Sequence, residues 1–113
     1  MNRVRLDVGG QIFVTSRETL VARDTFFRGL VEHVENDDEI FIDRDPTHFR
    51  HILNFLRNSP SFPTKVSDIQ QLKAEADFYC ISELVTRANA ELYNAQRNTV
   101  SHQLSIISSR LSS

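Results

Sequence analysis

One cysteine, Cys80, leaves no second thiol for an internal disulfide, so the fold must hold by its core alone. No apolar run approaches the roughly 20 residues that a membrane-spanning helix needs. The first residues, Met-Asn-Arg-Val-Arg, also lack the apolar stretch of a secretory signal, and the expected compartment is the cytosol. Glycine is scarce at three residues. Gly9-Gly10 therefore has no third glycine, and no Lys or Ser/Thr follows at the spacing of a phosphate-binding loop; the pair reads as a turn. A basic excess is missing as well. With a formal net charge of −2, the chain carries no phosphate footprint and nucleic acid is not an expected partner.

What remains is an ordinary globular balance for one compact core: 113 residues, 40% hydrophobic and 25% charged. Residues 39 to 57 are the most informative stretch. Ile40 and Ile42 alternate with more polar neighbours as in a half-buried strand. Asp45-Pro46 then predicts a helix start, with the carboxylate as N-cap and the proline ring holding φ near its helical value. From Phe49, apolar residues recur at Ile52, Leu53 and Leu56, giving one core-facing stripe while Thr47, Arg50, Asn54 and Arg57 face outward. At the chain's opening, Val4, Leu6 and Val8 alternate with Arg5 and Asp7. Gly9-Gly10 permits the positive φ of a tight turn, and Ile12-Phe13-Val14-Thr15 returns, which predicts a β-hairpin.

These segments resemble the BTB/POZ fold of the potassium-channel tetramerisation type, shared with the KCTD proteins. The likeness rests on Val4-Arg5-Leu6-Asp7-Val8-Gly9-Gly10, Thr15 with Thr19-Leu20, Phe41-Ile42-Asp43-Arg44-Asp45-Pro46, Ile52-Leu53-Asn54-Phe55-Leu56-Arg57 and Glu75-Ala76-Asp77-Phe78-Tyr79. It covers about residues 3 to 88. The fold it implies is α/β: a small three-stranded sheet with an N-terminal hairpin, flanked by about five helices. Asn58-Ser59-Pro60-Ser61-Phe62-Pro63 stands where the family usually has a short Thr-Gly-like turn, so this loop is expected to differ in shape. Many channels outside the Shaker group hold an intersubunit zinc through one His and three Cys. Cys80 alone, with no His near it in sequence, does not supply that site.

The other segments fit a sheet wrapped by helices. Thr15 with Glu18 has the form of a capping box opening a short helix through Leu20, Val21 and Ala22. Asp24 is the expected N-cap of a second, carrying Phe26, Phe27, Leu30, Val31 and Val34 before Glu35-Asn36-Asp37-Asp38 breaks the pattern into a loop. Ser67 with Gln70 suggests a third cap, and Ile81, Leu84 and Val85 close the core. The division is a domain over 1–88 and a polar, helical or partly disordered tail over 89–113. In that tail Val100, Leu104, Ile107 and Leu111 stand at coiled-coil spacing, with Leu92 out of register.

Catalysis and metal binding find little support. His48 and His51 stand three apart on a helix with no third ligand, and Cys80 among Phe78, Tyr79 and Ile81 reads as a small buried hydrophobe. No catalytic residue, cofactor, metal or small-molecule substrate is expected. Basic residues are eleven Arg and two Lys, and Arg suits planar, bidentate pairing at subunit interfaces. The resemblance implies a homo-oligomer, a tetramer or pentamer, in which one flank docks head-to-tail on the next copy. Asp7, Arg23, Asp24, Asp43, Arg44 and Asp45 are the candidate polar contacts across that seam. Three roles follow from it: a substrate adaptor that binds a cullin, a module co-assembling with potassium-channel subunits, and a piece of a longer multidomain protein.

Overall fold

A computed structural model describes residues 3–34 and 39–111, with side chains placed through residue 97. The order is β1 (Arg3–Val8), β2 (Gln11–Ser16), α1 (Arg17–Val21), α2 (Phe26–Val31), β3 (Glu39–Ile42), α3 (Phe49–Leu56), α4 (Val66–Phe78) and α5 (Ser82–Leu111). Alternation puts Val4, Leu6 and Val8 of β1 on the inner face, fully buried, and the outer face takes Arg3, Arg5 and Asp7. The sheet order is β2-β1-β3. β1 pairs antiparallel with β2 through the Gly9-Gly10 turn, at φ 55° and 100°, and parallel with β3. The three-stranded sheet, the hairpin and the five helices among the described residues are those that the sequence and its resemblance predict.

The helices cover the inner face of the sheet. Their common centre is aromatic: Tyr79 stacks on Phe27 at 4.8 Å between ring centroids, and Phe49 meets Tyr79 at 5.5 Å and Phe13 at 4.8 Å. Phe55, between Leu53 and Leu56, also joins the buried side of α3 and widens the predicted stripe.

Four predicted helix starts and one burial assignment are corrected. Thr15 is not the cap of α1: it stays in β2, paired with Val4 and buried, and Ser16 at the strand's end accepts from the Thr19 N–H at 3.1 Å. Asp24 is exposed, and Thr25 caps α2 by accepting from the Phe27 N–H at 3.2 Å. Asp45 accepts from the backbone N–H of Thr47 at 2.8 Å and from its hydroxyl at 2.5 Å. That local turn spends a further three residues before α3 begins at Phe49, whose N–H donates to the Pro46 carbonyl at 3.0 Å. α4 starts at Val66 after Lys65, with no side-chain cap, so Ser67 and Gln70 lie inside its first turns. Cys80 is exposed rather than buried. It occupies the left-handed position that ends α4 at φ 58°, with its N–H donating to the Asp77 carbonyl and that of Ile81 to the Ala76 carbonyl. The reversal turns Tyr79 and Ile81 inward and leaves the residue between them outside. The loop expected over Glu35-Asn36-Asp37-Asp38 lies outside the described residues.

Candidate interaction surface

Among the described residues no layer covers the outer face of the sheet. Register aligns Ile12, Asp7 and Phe41 in one row across the three strands, and Val14, Arg5 and Glu39 in the next. Phe41 is 64% exposed, Ile12 48% and Val14 46%, so three large apolar side chains and the charges between them share one open surface. β-pairing alone places them there, because the pleat that buries Ile40, Ile42 and Phe13 turns their neighbours outward.

Asp43, Arg44 and Asp45 follow β3 at the hairpin tip. The Gly9 N–H donates to the Ile42 carbonyl at 2.9 Å, and the space a Gly9 Cβ would fill lies 2.4 Å from the Arg44 carbonyl oxygen. Asp7, whose carboxylate accepts from the Gly10 N–H at 2.9 Å, belongs to the same end. Hydrogen bonds from the Thr47 hydroxyl and N–H hold the Asp45 carboxyl below the usual carboxylate range, since both favour its charged form.

Arg44 turns away from this tip toward α4. Its guanidinium pairs with Glu75 and lies 4.1 Å above the Phe78 ring. Arg23 makes the corresponding contact from the other side. It pairs with Glu83 in the first turn of α5 at 2.5 Å, donates to the Asn58 side-chain oxygen at 2.6 Å, and lies 4.4 Å over Phe55. The two arginines therefore brace the α4–α5 corner, with Asp24 exposed next to Arg23 and Asp43 exposed next to Arg44. Sequence reasoning selected the charged residues and missed the apolar ones. The signal for Phe41 was present, since it alternates with the inward Ile40 and Ile42.

The histidines are engaged by separate groups. His48 Nε2–H donates to the Gln71 side-chain oxygen at 2.7 Å, and His51 Nδ1 shares a hydrogen bond with the Ser61 hydroxyl at 2.9 Å. Ser61 also accepts from the Asn54 amide at 3.1 Å, which docks the longer loop after Arg57 back on α3. Among the described residues no group of three or more His, Cys, Asp or Glu is placed to hold a metal ion. No helix among them is long and apolar enough to cross a membrane.

A three-stranded sheet opened by a glycine hairpin, a charged corner after its parallel strand and a helical cover are features of one protein class. The chain belongs to the BTB/POZ domain family, of the potassium-channel tetramerisation type, with residues 4–88 matching the family model. It is 46% identical over 90 residues to the human BTB/POZ domain-containing protein KCTD3, covering 74% of this chain and 11% of that protein. It is 43% identical over 90 residues to bovine SH3KBP1-binding protein 1, covering 74% and 13%. Over 95 residues it is 38% identical to the chicken BTB/POZ domain-containing adapter for CUL3-mediated RhoA degradation protein 2, covering 79% and 30%. The chain thus spans less than a third of the length of each of these relatives.

Proposed function

We propose that this chain is a homo-oligomerisation module of the cytosol whose open sheet face docks on a neighbouring copy. It is a protein-interaction domain of its family, and the observation that carries the finer reading is Phe41. An aromatic side chain 64% exposed, in one row with Ile12 and Asp7, is what an interface centre offers before its partner arrives. Head-to-tail contact closes into a ring of four or five copies, and Asp7, Asp24, Asp43, Asp45, Arg23 and Arg44 supply polar contacts at its seam. Arg23 and Arg44 do so while holding Glu83 and Glu75 of their own chain.

Mass in solution, by light scattering on a sizing column over a tenfold concentration range, tests this. The expected result is a closed oligomer for the natural chain and a folded monomer for Phe41→Asp, with the natural secondary structure by circular dichroism and a melting temperature that no longer depends on concentration. A monomer at every concentration for the natural chain overturns the reading.

A second role rests on the chicken relative, whose name describes an adapter for CUL3-mediated RhoA degradation. We read the ring as a cullin-binding platform within a longer adaptor, with substrate chosen elsewhere in that protein. Micromolar or tighter binding, about −8 kcal/mol or better, is expected in a calorimetric titration with a cullin N-terminal domain. No heat and no complex would argue against it.

A further inference from the structure

α5 is far longer than the helix it packs on. Its 30 residues span about 45 Å, whereas the 13 residues of α4 span about 20 Å. The side of α5 turned to the body is read from burial: Leu84 and Ala88 are buried, and Leu92 lines the groove with Lys73 and Asp77 of α4. That stripe fades beyond it, with Ala95 its last half-buried residue before Gln96 and Arg97 are exposed. A different one starts at Tyr93, which is 65% exposed and lies about 100° around the helix from Leu92. Tyr93, Arg97, Val100, Leu104, Ile107 and Leu111 follow at intervals of four, three, four, three and four residues along unbroken helical backbone. Leu92 is out of register because it serves α4, and Tyr93 is the residue that extends the heptad pattern.

We propose that residues 93–111 form a parallel coiled-coil stalk with the same segment of other copies of this chain. The pattern names its own partner. In the register with Arg97, Leu104 and Leu111 at a, the d positions hold Tyr93, Val100 and Ile107. Leucine at a with a β-branched residue at d favours bundles of more than two helices, which suits the ring and not a simple dimer. The flanking e and g positions are Asn94, Gln96, Ser101, Gln103, Ser108 and Arg110. Only one carries charge, so identical helices side by side meet little like-charge repulsion. Arg97 is a cation at the first a position, at the end of the stalk nearest the body, where its long stem reaches water. Fewer than three heptads would be marginal in isolation, but a ring that gathers the segments raises their effective concentration to about the millimolar range. The inference rests on the homo-oligomer reading, and its test separates the two.

The chain over residues 1–113 with Cys80→Ser as background receives either Ile107→Cys, at a d position, or Ser105→Cys, at an outward b position. Under mild oxidation the first is expected to cross-link between copies at least tenfold faster than the second. Leu104→Asp with Ile107→Asp, which leaves the 1–88 domain untouched, is expected to move dissociation to at least tenfold higher concentration by light scattering. Equal cross-linking rates in a protein whose oligomeric mass is intact overturn the stalk and leave the sheet-mediated ring standing. A monomeric mass at all concentrations overturns both.

Discussion

The guanidinium of Arg44 lies 4.1 Å over the Phe78 ring while its Nε–H donates to the Glu75 carboxylate at 3.0 Å, tying the corner after β3 to the end of α4. The Glu75 side chain is only 12% exposed. Removing its partner strands a mostly desolvated carboxylate, so Arg44→Ala is expected to cost about 1–3 kcal/mol in chemical denaturation. Arg44→Glu costs more, by like-charge repulsion, and combining it with Glu75→Arg recovers most of the loss. Equal stability of Arg44→Glu and the natural chain would sink this account. The oligomeric mass of the charge-swapped protein then shows whether Arg44 also reaches across the seam.

Tyr79 carries a hydroxyl buried with no hydrogen-bond partner among the described residues. Burial, reinforced by the nearby Glu75 carboxylate and partly offset by Arg44, pushes its pKa well above the ordinary value of 10.0. The unfolded chain therefore releases this proton at a lower pH than the native chain. Stability contributed by the neutral phenol is complete below pH 10 and falls as pH rises beyond it. Tyr79→Phe should remove that alkaline loss. Freed of an unsatisfied hydroxyl, it should also gain about 1 kcal/mol near neutrality. Unfolding midpoints across the alkaline range, for both proteins, supply the comparison; parallel curves would show that Tyr79 is not the group responsible.

Cys80 ends α4 in the left-handed region at φ 58°, where a side chain costs about 1–2 kcal/mol and glycine almost nothing. Cys80→Gly should therefore raise stability by about 1 kcal/mol after the added entropy of the unfolded chain. Cys80→Ala keeps the Cβ and should change little. A loss of melting temperature in the glycine variant would mean that the thiol makes a contact more valuable than the relief of strain.

Periodicity made the strands and the faces of α3 legible because each element here obeys one spacing over several residues. Val4, Leu6 and Val8, and Phe49, Ile52 and Leu53, lie where alternation and the helical repeat put them. Helix starts were less legible, since Thr15, Asp24 and Asp45 are as suitable by type as Ser16 and Thr25, and pairing decides between them. Thr15 is held by its partner Val4 in the sheet, which no local pattern reveals. Cys80 misled for a related reason: its neighbours Tyr79 and Ile81 are buried, and only the reversal at the end of α4 places the residue between them outside. Of the surface, the charges stood out by their run at Asp43-Arg44-Asp45. The apolar row required the register of three strands, one of which pairs with residues 34 positions away in sequence: Val8 with Ile42, Leu6 with Ile40 and Arg5 with Glu39.

Gly9 and Gly10 both hold positive φ, yet they should respond differently to substitution. A Cβ at Gly9 meets the Arg44 carbonyl oxygen at 2.4 Å and Pro46 Cδ at 3.2 Å, whereas one at Gly10 has open space around it. Gly10→Ala therefore pays backbone strain alone, confined to the hairpin. Gly9→Ala adds a clash with backbone that must be relieved by moving the Arg44 corner, and its total cost should reach about 2 kcal/mol or more. Because that corner aims Arg44 at Glu75, the effect should propagate into the ion pair. In double-mutant cycles with Glu75→Ala, Gly9→Ala should couple by at least about 0.5 kcal/mol and Gly10→Ala should be additive. Additivity in both cycles would show that the hairpin tip and the arginine are positioned independently, and that the close approach of Gly9 serves the turn alone.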